Sequence, residues 1–395
     1  MNWKKVVIKD ICEIRSGKRI PKGRSFLKEP TKYPYIRARD IKNGKINTEE
    51  LVYLDEVTHK KLKQYVISAG DVVLTVAGSI GNVAYVNKDV DGFNLTENAV
   101  RLTNFDKRIN SQYLSYILNS KKYMEIMQAV AGGSAQPKLG IYKVESIPLD
   151  LPDLDIQNKI VKTISSFDDL IENNKKQIKL LEEAAQRLYK EWFVDLRFPG
   201  HENVEIIDRM PIDWRKGTLE SFVDVTMGQS PKSIFYNQDG NGIAFHQGVG
   251  SYGDRFVIDS IYSTSTTRIA EAGSILFSVR APVGRLNITK NRIIIGRGLA
   301  ALKQKSNYQS FLFYMLKEFF FRDNIVGNGS IFASITKDEL LSLLFVFPNE
   351  NLIKQFNDAA INIDKKIEYL DIQINLLTEA RDRLLPKLMS GEIEV

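Results

Sequence analysis

Apolar residues recur with two different rhythms along this chain. Over one stretch the positions Ile160, Ile164, Phe167, Ile171, Asn174, Ile178, Leu181, Ala185, Leu188 and Trp192 step by four and three. The positions Phe356, Ala360, Ile363, Ile367, Leu370, Ile374, Leu377, Arg381, Leu384 and Leu388 repeat that stepping in the same register, each 196 residues further on. A spacing of about 3.5 residues sustained in this way predicts a narrow coiled-coil seam, not the broad stripe of a helix lying on a core. Each seam needs one partner, so the two are expected to pair: Ile160, Ile164, Phe167, Ile171, Ile178, Leu181 and Leu188 with Ile363, Ile367, Leu370, Ile374, Leu377 and Leu384. Asn174 and Arg381 interrupt the seams. A lone polar residue there can set register at some cost in stability, or can face solvent at a frayed or covered spot; the sequence leaves both readings open.

The second rhythm is short and strand-like. YPYIRARDIKNGKI, GDVVLTVAGSIGNVAYV and GSILFSVRAPVGRLNIT alternate β-branched or aromatic runs with Gly, Asn, Asp and Pro, which predicts short strands joined by turns. One helical stretch is expected at SQYLSYILNSKKYMEIMQAV, with a counterpart at SFLFYMLKEFFF. The landmarks keep their order in both halves: Gly70-Asp71 and Gly81 correspond to Gly273-Ser274 and Gly284, Leu114 and Tyr116 to Leu312 and Tyr314, Gly133-Ser134 to Gly329-Ser330, and Pro152 to Pro348. QIKLLEEAAQRL at 177–188 returns as QINLLTEARDRL at 373–384. A period of half the chain means duplication of a whole module, unlike the short periods of solenoids. The fold class expected is therefore α+β: two similar mixed α/β modules separated by two long helices that pair as an antiparallel coiled coil, pseudo-twofold by internal duplication. A helix from about Ile156 to Trp192 would extend roughly 55 Å at the α-helical rise and hold the modules apart.

Composition narrows the class. The chain has 395 residues, 43% hydrophobic and 26% charged, which fits a globular protein of two or three domains. No apolar run reaches the roughly 18 residues of a membrane span, and MNWKKVVIKD lacks the apolar core of a secretory signal, so a cytoplasmic protein without membrane contact is expected. Cys12 is the only cysteine, which excludes an internal disulfide and a multi-cysteine metal site. The net charge of +7 favours a polyanionic partner only mildly.

Catalytic motifs are missing. His59, His201 and His246 show no metal-binding spacing, no GxxxxGK[ST] phosphate loop occurs, and neither Asn-Pro-Pro-Tyr nor Asp-Pro-Pro-Tyr is present to hold the target nitrogen of an amino-methyltransferase. No metal site is expected. The one GxGxxG, Gly248 to Gly253, lacks a clear preceding strand and is followed by DRFVIDS, which reads as a strand where a dinucleotide fold needs a helix. Asp150, Asp153, Asp155 and Lys159 superficially resemble a nuclease pattern, but they stand at a helix entrance, where acidic residues favour the helix dipole.

Binding chemistry is better represented. The first module offers Lys18, Arg19, Lys22 and Arg24 in a Gly/Pro loop, Arg37 and Arg39 at alternate positions expected on one face of a strand, and Gln136 with Lys138 in GGSAQPK. The second offers Gln229 and Lys232, His246 and Gln247, Arg280 and Arg285, and Arg297. Arg can read guanine and Gln adenine by bidentate hydrogen bonds, while Lys and loop amides hold phosphates. Any one charged loop is usually just solvated surface; the clustering on equivalent loops of both modules makes these the candidate DNA-binding residues.

The chain resembles the specificity subunit of a type I restriction-modification system over essentially its whole length. The resemblance rests on GDVVLTVAGSIG, on GGSAQPKLGIYKVESIPLDLP and GNGSIFASITKDELLSLLFVFP leading into the two long helices, and on LLPKLMSGEI. One departure is Ile156-Gln157, and NENLIKQF in the second copy, where the family has Glu-Gln after the proline. The resemblance implies two target-recognition domains, 1–152 and 200–348, each reading one half of a bipartite asymmetric DNA sequence. It implies a central helical spacer region at 153–199 and a C-terminal one at 349–395, acting as a ruler and as a dock for two modification subunits. Those partners would use S-adenosylmethionine to methylate adenine, and restriction subunits would add ATP- and Mg-dependent translocation and cleavage. This chain would have no cofactor or catalysis of its own. The competing expectations are a non-enzymatic coiled-coil adaptor whose heads bind protein, and a self-sufficient methyltransferase or nuclease, which the missing motifs disfavour.

Overall fold

The computed structural model describes residues 3–132, 137–321 and 334–394. Two compact units emerge, one formed by Met1–Glu172 with Ile374–Val395 and the other by Asn173–Gln373. Both divisions fall inside the long helices, Leu154–Phe193 and Glu350–Ser390, so each unit joins one globular module to half of each helix. The cause is packing: the core of each module runs on without interruption into the helices at its base.

In the first unit an antiparallel sheet orders its strands Glu13–Ser16, Ala99–Thr103, Val72–Thr75 and Val83–Tyr85. All four residues of Val72–Thr75 are buried, because a central strand covered on both faces reads as an unbroken apolar run. A smaller sheet places Pro34–Ile36 between Val52–Tyr53 and Asn94–Leu95, the last pairing being parallel. Lys4–Val7 pairs with Pro148–Leu151 and so brings the two ends of the module together where the first long helix begins. Leu74, Val100 and Leu114 form the core with Ile160 and Ile164 of the first long helix and Leu388 of the second.

The second unit repeats this plan. Its larger sheet runs Val223–Met227, Leu299–Gln304, Ile275–Ser278, Leu286–Ile288, and Arg215–Thr218 pairs with Leu344–Phe347. Its smaller sheet again contains a parallel pair, Ile243–His246 beside Ile293–Ile295, and adds outer strands. Aromatic packing dominates the core, where Phe222, Phe277, Phe311 and Phe347 meet Ala185 and Tyr189 of one long helix and Phe356 and Ala360 of the other. The same strand order in both halves establishes the duplication.

Within each unit the long helices run antiparallel, since positions early on one pack against positions late on the other. Every seam position from Ile160 to Trp192 and from Phe356 to Leu388 is buried or half-buried. Leu180 and Leu376, apolar residues of the repeat that lie off the seam, are 64% and 60% exposed, which identifies the 3.5-residue stripe as the packed one. Neither interruption faces solvent unpaired: Asn174 Nδ2 donates to Gln373 Oε1 at 3.3 Å, and Arg381 Nη1 donates to Asp168 Oδ1 at 2.7 Å. Among the described residues no helix is long and apolar enough to cross a membrane.

Several local expectations need correction. The helical stretch in the first module is two helices, Ser111–Leu118 and Lys121–Ala131, because the Asn119 side chain turns back to donate to Ser115 O at 2.8 Å and to Val83 O at 3.1 Å. Arg37 and Arg39 do not alternate on a strand: the strand ends at Ile36, and Arg37 caps a 3-10 turn, Ala38–Asp40, that contains Arg39. A strand, Ile243–His246, does precede Gly248, but a 3-10 turn at Val249–Ser251 follows, and Tyr252 and Phe256 then make only isolated bridges in place of the expected strand. Gly133-Ser134, Gln136 and Gly329-Ser330 lie outside the described residues.

Candidate nucleic-acid interface

Two equivalent glycines build the two candidate surfaces. Gly17 follows the strand Glu13–Ser16, and a Cβ there would lie 2.0 Å from Thr96 O; Gly228 follows the equivalent strand of the second unit, Val223–Met227, and its Cβ would lie 2.1 Å from Gly296 O. Only glycine lets the backbones cross this closely. The next residue is then fixed in the same way in each unit: Lys18 N donates to Leu95 O and Gln229 N to Ile295 O, both at 2.9 Å.

In the first unit the crossing gathers charge. Arg19 Nε donates to Glu97 Oε1 at 2.6 Å, and the buried Tyr35 hydroxyl donates to Lys18 O at 2.9 Å. Burial alone would raise the Glu97 carboxyl, yet the hydrogen bond from Arg19 holds it below its usual range. Arg37 makes a bidentate pair with Asp40 at 2.8 and 2.9 Å, which braces the turn. Arg19, Arg37, Glu97 and Asn98 line a cavity of about 310 Å³. Lys138 joins them through its bridge to Ala77, whose amide bonds Asn98 O. Lys18, Lys22 and Arg39 are exposed, with Lys22 in a turn closed by Arg24 N bonding Pro21 O at 3.1 Å.

In the second unit the same crossing carries other side chains. Ser230 Oγ donates to Gln247 Oε1 at 2.7 Å and accepts from Arg297 N at 3.3 Å. Gly296 N and Gly298 N bond His246 O and Gln247 O, and Val279 N bonds Gly298 O, which brings Arg280 alongside. Gln229, Lys232, Gln247, Arg280 and Arg297 are all exposed. The structure thus assembles most of the described residues picked from sequence, and it adds Glu97 and Ser230, which sequence reading passed over because it looked for Arg, Lys, Gln and His.

One expected contact is corrected. His246 is 1% exposed and both ring nitrogens are engaged, with Ser251 Oγ and with Asp259 Oδ1 at 2.9 Å each, so it supports the loop from beneath instead of offering a surface donor. Arg285, bonded through its amide to Ser278 Oγ at 2.8 Å, lines a cavity of about 360 Å³ with Glu182, Tyr252 and Lys317. The acidic residues near the first long helix are not gathered into a site: Asp150 pairs with Lys122 at 3.2 Å and Asp153 with Lys4 at 4.0 Å. No group of three or more His, Cys, Asp or Glu could hold a metal ion among the described residues.

Comparison with known proteins gives a consistent result. The profile of the type I restriction modification DNA specificity domain matches twice, at residues 1–183 and 211–373. The putative type I restriction enzyme MjaX specificity subunit of Methanocaldococcus jannaschii is 29% identical, over 100% of this chain and 94% of its own length. The type I restriction enzyme HindI specificity subunit of Haemophilus influenzae is 21% identical over 91% of this chain and 94% of its own. The crystal structure of a type I restriction-modification S subunit from M. genitalium shares the fold, with a TM-score of 0.61 and 18% identity, covering 98% of this chain and 96% of that one.

Proposed function

The chain belongs to the type I restriction-modification DNA specificity family, whose role is sequence recognition on DNA, and from that premise we propose that each module reads one half of a bipartite target. One observation carries the reading: a shared backbone crossing presents different chemistry in each module. Lys18, Arg19 and Glu97 occupy the positions of Gln229, Ser230 and Arg297. Arg19 and Glu97 can meet a guanine edge and a cytosine amino group, whereas Gln229 and Gln247 suit adenine and Arg297 guanine. Readers built alike but furnished differently recognise unlike half-sites. Lys22, Lys138 and Lys232 flank these groups and supply phosphate contacts. Arg280 completes the second surface.

The family of specificity subunits is generally non-catalytic. Methyl transfer with S-adenosylmethionine falls to two modification subunits docked on the paired helices, and ATP- and Mg-dependent cleavage to restriction subunits. The segments 153–199 and 349–395 act as the ruler between half-sites. Inserting one heptad into each long helix tests this division of labour: the unread spacer lengthens while both half-sites keep their letters. A spacer that stays unchanged contradicts it.

A further inference from the structure

Arg255 takes no part in the surface described above, yet it is among the most deeply buried charges in the second unit, at 4% exposure. It follows the loop that leaves Gln247. Nη1 donates to Glu182 Oε1 on the first long helix at 3.1 Å, and Nη2 donates to the Asp364 carboxylate on the second. The guanidinium carbon stands 4.3 Å from the ring centroid of Phe313 and 5.6 Å from that of Tyr314. Asp364 also accepts from the hydroxyls of Ser310 at 2.5 Å and Tyr314 at 2.7 Å, and Lys317 lies 3.8 Å from Glu182. Every member belongs to the second unit.

Burial by itself depresses the Arg255 pKa, but Asp364, Tyr314 and Glu182 outweigh it and leave the group above its ordinary value, so it stays charged. A buried ion cluster is a poor source of stability, because desolvation offsets most of the attraction and apolar replacements are often neutral or better. What such a cluster supplies is a single permitted geometry. The repeat shows why the second unit needs one. Asp168, which stands 196 residues before Asp364, is met by Arg381 from the other long helix. The position corresponding to Arg381 is Ala185, so no arginine of the helix reaches Asp364, and the module provides Arg255 instead.

We propose that Arg255 is a positioning residue: by bonding a carboxylate on each long helix, it fixes where the second module's reading loop stands along them and hence how many unread base pairs are tolerated. This rests on the reading that the chain addresses a bipartite DNA target. Arg255 contacts no DNA itself. Its effect reaches the bases through the chain between Gln247 and Asp254, which the buried His246 and the Ser251 Oγ bond to Gly248 O at 3.1 Å hold in shape.

The test uses the assembled complex with its methyltransferase subunits and a plasmid library carrying both half-sites at the native spacing, one base pair shorter and one longer. Two variants are compared with the wild type. Arg255→Lys keeps the charge but cannot span both carboxylates, and the triple Arg255→Met, Glu182→Gln, Asp364→Asn removes the ions while keeping acceptors for Ser310 and Tyr314. Both variants are expected to raise the share of adenine methylation at the wrong spacings by about tenfold, the order of one lost charged hydrogen bond, with half-site letters unchanged. Spacing as sharp as in the wild type, whether or not total methylation falls, overturns the inference. A wild-type complex that methylates no bipartite sequence overturns the underlying functional reading, and the inference with it.

Discussion

The Tyr314 hydroxyl donates to the Asp364 carboxylate at 2.7 Å. Tyr116 does the same to Asp168 at 2.8 Å in the first unit, so a tyrosine on a short helix ties each module to a long helix at equivalent places. Both phenols are raised, chiefly by burial; for Tyr116 the Asp168 charge adds to the rise, while for Tyr314 the Arg255 guanidinium opposes it without undoing it, so both stay protonated as donors. Replacing either tyrosine with phenylalanine removes one charge-assisted bond, while Arg381 and Arg255 keep the carboxylates paired. A loss of about 1–3 kcal/mol is expected for Tyr116→Phe and Tyr314→Phe, read as a lower urea midpoint with unchanged slope. A midpoint identical to wild type in both contradicts the lock.

Gly17→Ala and Gly228→Ala should each cost about 1–3 kcal/mol, since the added methyl meets backbone oxygens that cannot move aside. Gly248→Ala is the control: its backbone is extended at φ −177° and a Cβ would meet nothing within 4 Å, so thermal unfolding should stay near wild type. Equal effects at all three positions would contradict the crossing as the structural origin of the surface.

Cys12 is buried, and its surroundings push the thiol pKa up to about 12. The sign is toward the protonated form, so at pH 8 the thiolate is scarcer by about a thousandfold than for a thiol of ordinary pKa. A maleimide should leave the native protein unlabelled for hours and react at one site once urea unfolds it. Rapid native labelling would contradict the burial.

Arg297→Ala is expected to relax recognition at one position of one half-site, at a cost of about 1–3 kcal/mol, with Arg19→Ala acting on the other half-site. Lys232→Ala should weaken binding evenly across sequences and lower the salt slope by about one, as loss of a phosphate contact does. A uniform loss for Arg297→Ala would make it a phosphate contact too.

The helical half of the fold was legible because a 3.5-residue seam is a local and strongly periodic signal, and the repeat made it visible twice. The strands were harder. In YIRARD the alternation of Arg37 and Arg39 looked like a strand face, but the Asp40 carboxylate bonds the Arg37 amide at 2.8 Å and turns the chain instead. His246 had the surface chemistry of a reader, and only the three-dimensional packing shows Asp259 and Ser251 occupying it. Long-range partners such as Arg255 with Glu182 leave no local trace. Asp168 and Asp364 did leave one, standing at the same place in both repeats, and their matched tyrosines were already among the landmarks.

The most direct measurement is a genome-wide map of adenine methylation in the source cell with this gene intact and then deleted. The account predicts that one bipartite motif, with two unlike halves and a fixed spacer, loses its methylation when the gene is removed. If modification subunits are expressed and every methylated motif survives the deletion, the chain does not address methylation, and the recognition role assigned to its two modules is wrong.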